Sequence, residues 1–140
     1  MKIYILLLMA FLTACSVKSQ KNMDTTLEID FQDFFKNDTV SLEIGHQTVL
    51  KNIIVNSDFS TGLTELCVKV FLDEDESLVQ IGSKKIKINK VVRPIVINVY
   101  LNGYKNEYTI DLKQGKYIGL SKKSNALLNF YQAKEPFEYD

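Results

Sequence analysis

From Leu27 onward, apolar and polar residues alternate with a period of two, and no stretch of a dozen residues carries a helical apolar repeat. Asn102-Gly103 is the preferred pair for a type I′ hairpin, because both residues tolerate positive φ. A two-residue turn there sets Leu101 opposite Tyr104, Val99 opposite Asn106, Ile97 opposite Tyr108 and Ile95 opposite Ile110. That face is mainly apolar. The reverse face pairs Tyr100 with Lys105, Asn98 with Glu107 and Val96 with Thr109, and is mainly polar.

Gly82-Ser83 suits a type II′ turn that pairs Val79 with Ile86, Ser77 with Ile88 and Gln80 with Lys85. Gly45-His46 offers a similar turn, with Leu42 facing Val49 and Val40 meeting Lys51. The phase changes at Ile53-Ile54-Val55, which predicts a bulge or a change of sheet near Lys51 or Asn52. Leu66, Val68, Val70 and Leu72 form one side of a further strand, with Cys67, Lys69 and Phe71 on its reverse. Tyr117–Leu120 and Leu127–Gln132 complete the set, and Pro94 is expected to begin a strand. About seven to nine short strands with regular turn signals predict an all-β, antiparallel two-sheet sandwich. The layout is similar to immunoglobulin-like or transthyretin-like sandwiches; a closed lipocalin-like barrel is the lesser alternative.

The N-terminus reads differently. Met1-Lys2 is followed by an apolar run from Ile3 to Leu12, too short for the roughly 20 residues of a spanning helix but normal for the core of a signal peptide. The run ends in Leu12-Thr13-Ala14-Cys15, which resembles the lipobox of bacterial lipoproteins. The resemblance implies cleavage before Cys15, acyl chains (palmitate among them) on that residue, and a place in the cell envelope. Each buried methylene contributes about 0.8 kcal/mol, so two or three chains hold a protein at a membrane where one does not. Residues 1–14 are then a signal peptide, 15–26 a lipidated N-terminus with a polar tether, and 27–140 the β-sandwich domain. Ser16 is not the aspartate that retains some lipoproteins in an inner membrane, and no acidic run follows Cys15. Both features point to the periplasmic face of an outer membrane.

Charge and candidate chemistry narrow the picture further. The chain has 17 basic and 17 acidic side chains, and no clustered basic field of the kind nucleic acid requires. With Cys15 acylated, Cys67 has no partner for an internal disulfide. A free mid-strand cysteine usually behaves as a small hydrophobe. His46 is the one histidine, in a turn, so any histidine-dependent nucleophilic site would have to use it. Asp73-Glu74-Asp75-Glu76 has oxygen ligands suited to calcium but lacks the spacing of a calcium loop, and reads as a solvated connection. No cofactor or metal site is implied.

Asp24-Thr25-Thr26 and Asp38-Thr39-Val40 are similar to short bacterial O-glycosylation sequences, making Thr25 and Thr39 candidate acceptors. The aromatic tail offers Phe137 and Tyr139 on one side of an extended segment, either docked as an edge strand or free as a partner surface. The expected function is a non-catalytic binding or assembly domain, anchored through Cys15 and meeting another envelope protein. The alternatives are an inhibitor or immunity protein against a toxin or hydrolase, and a hydrolase working through paired carboxylates.

Overall fold

The computed structural model describes residues 24–139. They form ten strands: β1 Leu27–Phe31, β2 Asp38–Ile44, β3 Gln47–Val55, β4 Cys67–Leu72, β5 Ser77–Ile81, β6 Lys84–Ile88, β7 Ile95–Leu101, β8 Tyr104–Ile110, β9 Tyr117–Lys122 and β10 Leu128–Ala133. A single 3-10 turn, Leu112–Gln114, joins β8 to β9. The strands make two sheets, in the orders β10-β9-β1-β4-β5-β6 and β3-β2-β7-β8. This is the expected two-sheet sandwich, and the two sheets share no strand, unlike a closed barrel. One pairing departs from the antiparallel expectation: β1 lies parallel to β9.

Alternation explains the layers. Leu27, Ile29 and Phe31 of β1, Val68 and Val70 of β4, and Ile118 and Leu120 of β9 are inaccessible to solvent on one sheet. Val40, Leu42 and Ile44 of β2, with Ile95, Ile97, Val99 and Leu101 of β7, are equally buried on the other, in one continuous core. At about 1.5–3 kcal/mol for each fully buried aliphatic or aromatic side chain, these two facing rows are the main source of cohesion.

The Asn102-Gly103 hairpin has the expected register in every pair from Leu101↔Tyr104 to Ile95↔Ile110. Both turn residues have positive φ, as a type I′ turn demands. The Gly82-Ser83 hairpin also pairs as expected, including Val79↔Ile86 and Ser77↔Ile88. The Gly45-His46 turn differs in kind and register. Both its residues have positive φ, making it type I′, and Leu42 faces Leu50 rather than Val49. Two bulges cause the change. One lets Val49 and Leu50 both bury; the other falls at Lys51-Asn52, where Val40 pairs with Ile53 and Asn52 takes φ 50°. Pro94 stands one residue ahead of β7 rather than within it.

The two long sides of the sandwich close differently. On one, Tyr108 of β8 stacks on Phe130 of β10 with centroids 4.6 Å apart. Asn106 adds bonds across the same side, donating to the Ala126 carbonyl and accepting from Leu128 N–H. On the other, Gln47 and Asn89 exchange two hydrogen bonds.

Candidate functional site

Strand directions place the loops 32–37, 56–66, 102–103 and 123–127 at one end of the sandwich. The chain enters β1 at the opposite end, where Thr26 N–H bonds to the Val70 carbonyl. The loop end carries three large apolar side chains in the open: Phe34 at 70 % exposure, Ile54 at 60 % and Phe59 at 106 %. Such exposure forgoes about 1.5–3 kcal/mol of burial for each side chain. Isolated exposed apolar residues need no explanation, but these three all belong to the same end of the sandwich.

Their loops are tied together. Phe35 N–H donates to Ser57 Oγ, and Ser57 N–H donates to the Phe35 carbonyl. The 58–63 loop is closed at its base by Asp58 N–H to the Leu63 carbonyl at 2.6 Å. Asp58 Oδ1 accepts from Ser60 N–H and Thr61 N–H, at 2.8 and 3.0 Å. Those bonds hold the Asp58 carboxyl below its ordinary value, with the Ser60 hydroxyl making the largest contribution. Phe59 is therefore displayed on an ordered tip. Phe34 has φ 69°, a conformation that costs a bulky residue about 1–2 kcal/mol and holds its ring outward. An open groove of about 510 Å³ lies at this end, walled by Ile53, Ile54 and Val55 of β3, by Asn56–Asp58 and by Leu63–Leu66.

The loop end is also braced. Asp38 is buried, and its carboxylate accepts from Lys122 Nζ at 2.8 and 2.9 Å, Asn102 Nδ2 at 2.8 Å and Lys36 N–H at 2.7 Å. Burial alone would raise the Asp38 carboxyl. The bonds from Asn102, Lys122 and Lys36, with the Lys122 charge, outweigh it and hold the carboxyl below its ordinary value.

The residues singled out by sequence are dispersed. Cys15 and its lipobox lie outside the described residues. No helix among the described residues is long and apolar enough to cross a membrane. His46 sits exposed in the β2–β3 turn, on the four-stranded sheet, whereas Cys67 begins β4 on the other sheet. The acidic run Asp73–Glu76 is the β4–β5 connection, closed by Asp73 N–H to the Glu76 carbonyl. Thr25 precedes β1; Thr39 is half-buried within β2, its N–H bonded to Asn102 Oδ1. The tail does not form an edge strand. Tyr139 instead docks on the six-stranded sheet, its hydroxyl accepting from Gln32 Nε2 at 2.9 Å, while Phe137 is half-buried.

One cluster escaped the sequence reading. Glu28, Asp30 and Cys67 bring three ligand-type atoms within 4.8 Å of one another, the only such group among the described residues. Each is engaged: Glu28 faces Lys69 at 3.8 Å, and the Cys67 thiol bonds to Asp30. Burial pushes the Cys67 thiol up, and Asp30 and Glu28 add to it against Lys69, so the thiol stays protonated and is a poor nucleophile. Alternation in β1 and β4 gives the faces, but only the long-range β1–β4 register brings the three together.

Comparison with protein-family models, curated proteins and solved structures gave no significant match.

Proposed function

We propose that this chain is a membrane-anchored envelope lipoprotein, held through acyl chains on Cys15, whose sandwich is a non-catalytic binding module for another envelope protein. One observation carries the reading. Phe34 and Phe59 on ordered loops, with Ile54 near the end of β3, stand exposed at the end of the sandwich opposite the point where the chain enters it. A tether at the entry end leaves that loop end facing away from the bilayer. Aromatic side chains on a preorganised surface are favoured anchors of protein interfaces, because they bring large area at little entropic cost. The outer-membrane leaflet facing the periplasm follows from the residues after Cys15 and belongs to the same proposal.

Affinity capture from detergent extracts tests it. Native chain and a Phe34→Ser/Phe59→Ser double variant are compared, with thermal unfolding checked in parallel. A stoichiometric envelope protein held by the native chain and released by the folded variant is the expected result. Equal capture by both overturns the reading. Phe59 on a closed, protruding loop also favours a second reading, an inhibitor that inserts this ring into the cleft of a toxin or hydrolase. In that case the captured protein is a soluble enzyme whose activity falls on binding.

A further inference from the structure

The edge strands of the two sheets are β10 and β6 on one, β3 and β8 on the other. A sheet edge is a row of unpaired backbone groups that a further strand can join, and folded proteins commonly blunt it. β3 is blunted by two bulges and by the positive φ of Asn52. β6 carries Lys84, Lys85 and Lys87, all exposed and with no acidic residue among them. On β10, the Leu128 N–H is capped by Asn106 Oδ1.

β8 has none of these devices. Gly45 N–H bonds to the Val96 carbonyl and Asn102 N–H to the Thr39 carbonyl, so the even-numbered residues of β7 bond towards β2. Its odd-numbered residues bond to β8, where the register gives them Tyr104, Asn106, Tyr108 and Ile110. Lys105, Glu107 and Thr109 therefore turn their N–H and C=O groups out of the sheet edge. No backbone group among the described residues meets them there. All three residues are exposed, and the pairing of β8 with β7 contains no bulge.

Such a row of alternating donors and acceptors fits an extended strand, and charge selects which strand. About a twofold axis at Asn106, Lys105 of each copy faces the partner's Glu107, and the two pairs exchange about four backbone hydrogen bonds. A register centred on Glu107 instead sets two carboxylates against each other and is disfavoured. Within one chain Lys105 Nζ lies 2.7 Å from Glu107, but the two side chains are 46 and 54 % exposed. So exposed an ion pair is weak, and its members can exchange partners at little cost. The same axis sets Tyr104, itself 59 % exposed, opposite the partner's Tyr108, which adds apolar burial.

We propose that β8 is a homodimer edge, joining the four-stranded sheets of two copies into one continuous sheet. The proposal is independent of the loop-end reading, since the copies run head to tail and leave both loop ends uncovered. An extended 15–26 segment reaches roughly 40 Å, beyond the roughly 23 Å of a seven-residue strand, so both copies can be anchored in one bilayer. The test is sedimentation equilibrium of the full chain in a density-matched detergent, from micromolar to submillimolar concentration. The native chain should reach the mass of two copies. Lys105→Glu and Glu107→Lys each bring like charges together twice over, and each should weaken the dimer by about tenfold or more. The Lys105→Glu/Glu107→Lys double variant restores opposite charges and should dimerise like the native chain. Both positions are exposed, so thermal unfolding should be unchanged across the set, which separates lost pairing from lost fold. A native chain that stays single, whether free or with another protein's strand on β8, overturns the proposal. So does a dimer that both single variants leave intact, or a double variant as weak as the singles.

Discussion

Replacing Lys122 by Met should be among the most damaging polar substitutions in this domain. The Asp38 and Lys122 side chains are 5 % and 16 % exposed, so the pair is out of the solvent that makes surface ion pairs weak. Removing the lysine leaves a buried carboxylate with Asn102 and Lys36 N–H as its remaining donors. Breaking a buried pair from one side costs about 3–5 kcal/mol. Against a total stability of about 5–15 kcal/mol, that is a large fraction. For a domain of this size it lowers Tm by roughly 10–20 °C.

Asp38→Asn should cost less, because it removes the charge that needs a partner and keeps a side chain of similar shape. The double variant should then be less damaged than the sum of its parts, with a coupling of about 0.5–3 kcal/mol. The same pair makes a pH prediction. Asp38 has a lowered folded-state pKa, so its contribution is present above the unfolded value, about 3.9, and is lost as pH falls through the folded one. Urea unfolding of the native chain should therefore weaken in that acid window, with a shallower dependence in Asp38→Asn. Loss of under about 1 kcal/mol in Lys122→Met would show that the pair behaves as an exposed one, and would refute the reasoning.

Two further outcomes follow from packing and from thiol chemistry. Gly115 has φ 134°, and a Cβ there would overlap the Ala133 carbonyl, which is backbone and cannot swing aside. Gly115→Ala should thus cost several kcal/mol, on the order of the 4–5 that marks an exceptional substitution, measured by chemical denaturation. Cys67, protonated and half-buried, should react with iodoacetamide at neutral pH far more slowly in the folded chain than in denaturant; equal rates would contradict its placement beside Asp30.

The parts legible from sequence are those decided within a few residues. The Asn102-Gly103 and Gly82-Ser83 turns each specify a register, and one slipped residue would put Val99 or Val79 in water, so local chemistry and burial agree. The polar reverse face of β7 and β8 was legible for the same reason. The bonds that reach it from β3 were not, because they depend on how the bulge at Asn52 meets Ser41 of β2. The parallel β1–β9 pairing, the bond from Lys122 to Asp38 across 84 residues, and the convergence of Glu28, Asp30 and Cys67 are likewise long-range. No local period encodes them. The exposed ring of Phe59 was hidden differently: in sequence it is one aromatic in a polar loop, and only the bonds around Asp58 show the tip to be ordered.

The most direct test of the account is site-specific photo-crosslinking in living cells, with the photoreactive residue at position 59 and, as a control, at exposed position 113 near the chain-entry end. A discrete protein adduct from position 59, absent from position 113 and lost when Cys15→Ala removes the anchor, is the predicted result. Adducts to lipid at position 59, or a protein adduct unaffected by Cys15→Ala, would contradict a tethered domain that presents its loop end to an envelope partner.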